Sequence, residues 1–344
     1  MSIKALTRVS LRFFAGLVGI GLLGYLVFRT GPGVVWKQVQ TVGWGLALII
    51  IIIGGVSQLI KTWAWRQTFT ADISGLSWRR SFGTQLVSDA MGQLGLAGKV
   101  VGESVRVSLL RSAVPLASGI SAAAIDGILH SFTAAFVSVL GISATLLFAH
   151  VSGSWRVYAL LIAAVLLTAM VFAAVAVAQR WALAGKMARL ATRLPRIGKC
   201  IKSRLPVIDS AENNLLMFHE NAPAAFWASL LLNLFWHILA AFEIFLILRF
   251  MGARVAFVGA FVLEGLTKVI NLVGVFNPGN FGTYEGGSML IAKILGVPGT
   301  AGLTLALCRR ARIVFWAAMG AMCMSLMNRP QLFTSHETAH SLTR

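Results

Sequence analysis

The chain has 344 residues, 57% of them hydrophobic and 12% charged, with a mean hydropathy of +0.80. A soluble protein carries roughly 25% charged residues, so the composition excludes a soluble globular protein and defines an integral membrane protein. The formal charge of +19 would point to nucleic acid in a soluble chain. Here Lys and Arg flank apolar segments, as the positive-inside rule requires, and membrane lipid rather than nucleic acid is the expected partner.

Lys4, Arg8 and Arg12 precede an apolar run at 13–28. The run ends in Arg29-Thr-Gly-Pro without a small-residue cleavage site, so it reads as an uncleaved first span with a cytoplasmic N-terminus. A second span is expected at 44–60. Lys61, Arg66, Arg79 and Arg80 follow with a single acid, Asp72, and read as a cytoplasmic loop. Residues 81–97 are too short, polar and Gly-rich for a comfortable span. They lead into a Gly-interrupted segment, 95–111, with Lys99, Glu103, Arg106 and Arg111. The apolar stretch 116–148 contains Asp126 and His130 and fits either one steeply tilted helix or two short ones. Residues 158–178 form another clean span.

The segment 186–204 (KMARLATRLPRIGKCIKSR) holds seven basic residues and no acid. Its apolar positions 187, 190, 194 and 197 follow approximate helical spacing, broken by Pro195. Such a segment suits either an interfacial position against anionic headgroups or a solvated cytoplasmic loop. Asp209, Glu212 and Glu220 then dilute the charge. Spans at 226–248 and 255–275 flank a tight turn, and a last one lies at 303–327. The expected architecture is all-α and polytopic, with about seven or eight transmembrane helices and two short broken or re-entrant segments. It is a single membrane domain, 1–330, with candidate halves 1–180 and 225–330 joined by a cytoplasmic segment, 180–224. Residues 331–344 form a short tail.

The second broken segment, 277–297, reads NPGNFGTYEGGSMLIAKILGV. Unpaired backbone groups cost several kcal/mol each in lipid, so such a stretch is tolerable at depth only if buried in protein or lining a cavity. A carboxylate there, Glu285, is a candidate functional residue; an interfacial loop with Glu285 at a helix N-terminus is the plainer reading. Small side chains are expected to matter at Gly282 and Gly286 more than at Gly45. Gly98-Lys-Val-Val-Gly102-Glu103 echoes Gly279-Asn-Phe-Gly282 followed by Glu285. Each lies before a short apolar helix and after two spans, which is how internally repeated transporters mark a binding site.

Six of the eleven acids (Asp89, Glu103, Asp126, Glu243, Glu264 and Glu285) lie within or beside apolar segments. Charges at depth face a cavity or find partners. Glu103 with Arg106, and Glu264 with Lys268, have the spacing to neutralise each other locally on a helix. Arg309, Arg310 and Arg312 have no acid within twenty residues. Their partners must be distant carboxylates or an anionic ligand, unless the cluster marks a helix end at the membrane surface near Trp316. His130 and His237 on apolar helices read as core histidines. No hydrolytic, nucleotide or metal motif is present, and Cys200, Cys308 and Cys323 offer no disulfide or metal pattern. No cofactor is expected.

At Gly92-Gln93-Leu94-Gly95, Gly102-Glu103-x-x-Arg106, Asp126, Pro278-Gly279-x-x-Gly282-x-x-Glu285-Gly286 and Leu305-Ala-Leu-Cys-Arg-Arg-Ala-Arg312, the chain resembles the flippase-like family of the lysyl-phosphatidylglycerol synthase transmembrane region. The hopanoid-biosynthesis branch is the nearest likeness, although Ser88-Asp89-Ala-Met91 and Asn277-Pro-Gly-Asn280 depart from it. The resemblance implies a multispan helical protein of the bacterial inner membrane that handles charged lipids. It implies no lysine transfer, since no aminoacyl-transferase domain follows. Candidate lipid-binding residues are Gln93, Glu103, Arg106, Asp126, Asn277, Gly279, Gly282, Glu285, Arg309 and Arg312. A translocase of an anionic or polar-headgroup lipid is the expected function. The rivals are a membrane-embedded transferase using Asp126 or Glu285 as general base, and an accessory subunit that partners lipid-biosynthesis enzymes.

Overall fold

The computed structural model describes residues 32–92, 98–148, 153–193, 201–273 and 283–327. Among these residues there is no strand, and eleven helices have defined bounds. In chain order they are α1 (Pro32–Gln67), α2 (Trp78–Gly92), α3 (Gly98–Leu110), α4 (Leu116–Phe148), α5 (Gly153–Ala178), α6 (Leu183–Ala191), α7 (Leu205–Asn221), α8 (Pro223–Phe250), α9 (Phe257–Val273), α10 (Thr283–Ile294) and α11 (Gly299–Met327). By length and composition, four are long and apolar enough to cross a membrane: Gly43–Gln67 of α1, then α4, α5 and α8. The chain is a multi-pass membrane protein. The first expected span, 13–28, lies outside the described residues.

Several boundaries differ from the sequence reading. The second span does not stop at residue 60. The helix continues to Gln67 because Lys61 finds a carboxylate, Asp89, at 2.9 Å, and Arg66 donates to the Leu76 carbonyl at 2.8 Å. Lys61 and Arg66 are therefore helical, and the loop begins at Thr68. Residues 116–148 form one helix, not two. At 1.5 Å per residue it is about 50 Å long, enough to cross a bilayer core of about 30 Å with tilt or overhang.

Two helix quartets share one order: long, short, short, long. The first is α1–α4 and the second α8–α11. In each, a tight turn joins the last two helices. The quartets exchange partners: α1 packs on α8, α2 on α11, and α4 on α9. The last two crossings occur at the same register. Leu86 and Gly265 are each the ninth residue of α2 and α9; Val137 and Gly320 are each the twenty-second of α4 and α11. A Cβ on Gly265 would meet the Val137 carbonyl at 2.6 Å, and one on Gly320 would overlap the Leu86 carbonyl. Only glycine lets these backbones touch, which is how helices gain contact where lipid supplies no hydrophobic drive. Burial repeats as well. Ser81, Thr84 and Gln85 of α2 are buried, as are Ala260, Leu263 and Glu264 at the matching positions of α9.

The main core lies between the quartets, where Leu46 and Ile50 of α1 meet Ile244 and Leu248 of α8, Leu263 of α9 and Leu305 of α11. Trp316 locks α1 to α11: its indole N–H donates to the Ile51 carbonyl at 3.2 Å, and its ring lies against Gly54 and Gly55. Gly286 has open space around its Cβ, as has Gly45, whereas Gly287 packs against Ile270. The expectation of a crowded Gly286 is corrected; the crowding falls on its neighbour. Gly282 lies outside the described residues.

Helix α5 packs on α4 and buries none of its residues within the protein. Its apolar surface is continuous around the helix, as a lipid-facing span requires. Trp155 and Tyr158 near one end, and Trp181 just past the other, have the placement of interfacial aromatics. Beyond it α6 and α7 pair. All three acids of this region hold residues between 180 and 189. Glu212 accepts from the Ala184 and Gly185 amides at 2.6 and 2.8 Å. Asp209 pairs with Arg189 at 2.9 Å and Glu220 with Arg180 at 2.6 Å. Hydrogen bonding to Arg180 holds the Glu220 carboxyl below its ordinary range.

Candidate functional site

Each quartet carries a network of charged side chains inside the bundle. In the first, Arg106 of α3 is the centre, with a side chain 2% exposed. It pairs with Glu103 one turn back, donates to Asp126 of α4 at 3.0 Å and to Gln85 Oε1 of α2 at 2.8 Å. Its guanidinium lies over the Trp65 ring, 4.5 Å from the centroid. Gln85 passes the chain on, donating from Nε2 to Asp89 at 3.0 Å. Asp89 also accepts from Gln58 and Lys61 of α1, each at 2.9 Å.

In the second quartet, Arg309 of α11 has the same central place. It donates to Glu264 of α9 at 3.0 Å, to Glu243 of α8 at 3.3 Å and to the Tyr284 hydroxyl of α10 at 3.1 Å. Arg312 lies 3.1 Å from the same Glu243 oxygen. Both carboxylate side chains are fully buried. Lys268 approaches Glu264 at 2.6 Å, and His237 lies 3.5 Å from it. Arg310, on another face of α11, pairs with Glu285 of α10.

The matched register extends to the chemistry. Gln85 and Glu264 are each the eighth residue of their helices, Asp89 and Lys268 each the twelfth. One helix carries an amide and an acid, the other an acid and a base, so the second quartet is the electrostatic inverse of the first at the twelfth position. The two networks meet at Trp236 of α8. Lys61 lies 5.2 Å and Lys268 4.7 Å from its ring centroid. His130 of α4 stacks on His237, 5.5 Å between centroids, and lies 3.1 Å from Asn233.

The structure thus brings Glu103, Arg106 and Asp126 together, and separately gathers Arg309 and Arg312 around Glu243. Glu285 lies beside this second group on Arg310. Gln93, Asn277, Gly279 and Gly282 lie outside the described residues. The arginine cluster is not at a helix end: 309–312 are the eleventh to fourteenth residues of a 29-residue helix. Distant carboxylates meet all three arginines. The Glu264–Lys268 pair is more than local neutralisation, because Glu264 also receives Arg309. Among residues outside the expected set, Gln58 and Gln85 give the least signal in sequence. A lone glutamine in a helix becomes meaningful only when its neighbours across the bundle are known. Glu243 was visible as a single acid in an apolar span, but its two arginines are more than sixty positions away.

Burying an ion costs several kcal/mol unless its pairing is excellent, and intramembrane charges face the bundle interior or a water-filled cavity. With helices long and apolar enough to cross a membrane and no strand among the described residues, the chain belongs to the class of polytopic α-helical membrane proteins. More narrowly, the lysylphosphatidylglycerol synthase TM region family model matches residues 12–320, and the chain belongs to that family. No curated protein and no solved structure shows significant similarity to it.

Proposed function

We propose that the protein is a lipid translocase of the flippase-like type, moving a lipid with an anionic or polar headgroup across a bacterial inner membrane. The observation that carries this reading is the pair of ion networks at the junction of two partner-exchanging helix quartets. Apolar residues of similar volume would hold such a bundle as well or better than ion pairs, so the charges point to a polar cargo. The matched helix order and crossing register support an internal duplication with the substrate path between the halves. In this reading the glycine-rich stretches 92–102 and 277–287 mark that path, and Gln93, Glu103, Arg106, Asp126, Asn277, Gly279, Gly282, Glu285, Arg309 and Arg312 are its candidate residues. The segment 180–224 lies on the cytoplasmic side, and the lipid is of phospholipid or hopanoid-pathway type.

A transferase using Asp126 or Glu285 as base is less favoured by the geometry. Each already pairs with an arginine, Arg106 or Arg310, which occupies the carboxylate that would have to reach a substrate proton. Reconstitution separates the readings. Proteoliposomes containing fluorescent phosphatidylglycerol in both leaflets should expose the inner-leaflet probe to an external quencher faster than empty vesicles. Chemically altered lipid in place of movement would establish an enzyme, and neither change would remove the translocase reading.

A further inference from the structure

Resting on the translocase reading but assigning residues it does not use, we infer that Lys61, Lys268 and Trp236 form a phosphate-binding site between the two quartets. The two lysines come from different halves, Lys61 from α1 and Lys268 from α9, and both ammonium groups lie against one indole ring of α8. Two like charges drawn to one ring repel unless an anion joins them.

Their donors are underused. An ammonium has three N–H groups, and each lysine has one carboxylate partner, Asp89 or Glu264. Asp89 is shared among Gln58, Gln85 and Lys61, and Glu264 lies against Lys268, Arg309 and His237. An anion arriving here finds spare ammonium donors. The indole Nε1 of Trp236 adds one more, buried and without a hydrogen-bond partner among the described residues.

Four cations stand near this junction, Lys61, Lys268, Arg309 and Arg312. Access differs among the four cations. The side chains of Lys61 and Lys268 are 28% and 17% exposed, against 14% for Arg312 and 7% for Arg309. The lysines are the more exposed members, and the arginines pair with Glu243 and Glu264. A ligand bridging Lys61 and Lys268 would touch both halves at once, so its binding and release bear on how the halves sit together.

The test uses the full chain in nanodiscs of phosphatidylcholine, with native mass spectrometry of added phosphatidylglycerol and, separately, competition by inorganic phosphate. Lys61→Gln and Lys268→Gln should each weaken phosphatidylglycerol binding about tenfold, and the double variant more. Lys→Arg at both positions should retain binding within a few-fold, since Arg supplies charge and donors. Trp236→Phe, which keeps a ring and removes the N–H, should weaken it less than either glutamine. Competition by inorganic phosphate in the wild type, absent in the double glutamine variant, assigns the site to phosphate in general. Its absence with lysine-dependent lipid binding assigns the site to the lipid's phosphodiester. If the double glutamine variant keeps the wild-type thermal unfolding profile and binds phosphatidylglycerol as tightly as wild type, the site is wrong. Should that double variant lose its fold, the double arginine variant decides: loss of binding there, with folding intact, overturns the proposal. Transport is read apart from binding. A wild type that binds through the lysines yet moves no lipid refutes the translocase reading and leaves the site. Unimpaired movement and binding in the folded glutamine variant refutes the site and leaves the translocase.

Discussion

Replacing Glu243 by Gln should be among the most damaging single changes in the bundle interior. Its carboxylate is fully buried and lies 3.3 Å from Arg309 and 3.1 Å from Arg312. At an effective dielectric of about 20, one unit pair at that separation is worth about 5 kcal/mol. Breaking a buried pair by removing one partner costs roughly 3–5 kcal/mol. Arg309 retains Glu264 and Tyr284, so the loss falls mainly on Arg312, whose only ion pair among the described residues is with Glu243. The expected destabilisation is therefore near the lower end, about 3 kcal/mol. Glu243→Gln with Arg312→Gln removes both charges and should recover more than half of that loss, because no unpaired ion is left behind. Unfolding by SDS in mixed micelles, followed by helical circular dichroism, measures both variants. A double variant no more stable than Glu243→Gln alone would refute the assignment of Arg312 as the residue left stranded.

Gly265→Leu and Gly320→Leu should each destabilise by about 1–3 kcal/mol through overpacking at the two matched crossings, whereas Gly127→Leu, with open space at its Cβ, should be tolerated; thermal unfolding in detergent compares them. Arg106→Lys should weaken the first network despite keeping the charge, since one ammonium cannot meet Gln85, Glu103 and Asp126 and also stack on Trp65, and the same unfolding assay should register a loss of about 2 kcal/mol or more. The Glu220 carboxyl is depressed in the folded protein by Arg180. Its contribution is therefore complete above the ordinary Glu range and lost only as pH falls through the depressed value. The α6–α7 pairing should hold at neutral pH and loosen in acid, as amide exchange at 180–190 would report; loosening on raising the pH would contradict the sign. A single cysteine at Asn213, with Cys200, Cys308 and Cys323 replaced, should react with an impermeant reagent only after the inner membrane is opened.

How far the sequence could be read follows from the range of each interaction. Helix identity, apolar spans and the pairs Glu103–Arg106 and Glu264–Lys268 depend on residues within a turn or two, and periodicity exposes them. The short helices α3 and α10 were legible from the glycine-rich stretches that hold them. Partner exchange was not, because nothing local in α2 says that it will lie on α11 as well as on its neighbours α1 and α3. The extension of α1 past Lys61 was missed for the same reason: a lysine ends a span in sequence unless Asp89, 28 positions on, waits to receive it. The arginines of α11 showed that remote partners were needed, but only the packed bundle says they are Glu243, Glu264 and Glu285.

Partner exchange also bears on how the protein is made. Helix α2 finds partners for Gln85 and Asp89 within its own quartet, yet the helix that covers its Leu86 face is α11. At about 5–20 residues per second, the roughly 230 residues between Leu86 and Gly320 take about 10–50 s to synthesise. Throughout that interval the Leu86 face of α2 lacks α11, and the Val137 face of α4 lacks α9 until that helix is made. Ribosome output, not helix insertion, sets the earliest moment at which the core can close. A nascent chain stalled between α8 and α9 is thus a half-built bundle with two close-packing helix faces uncovered.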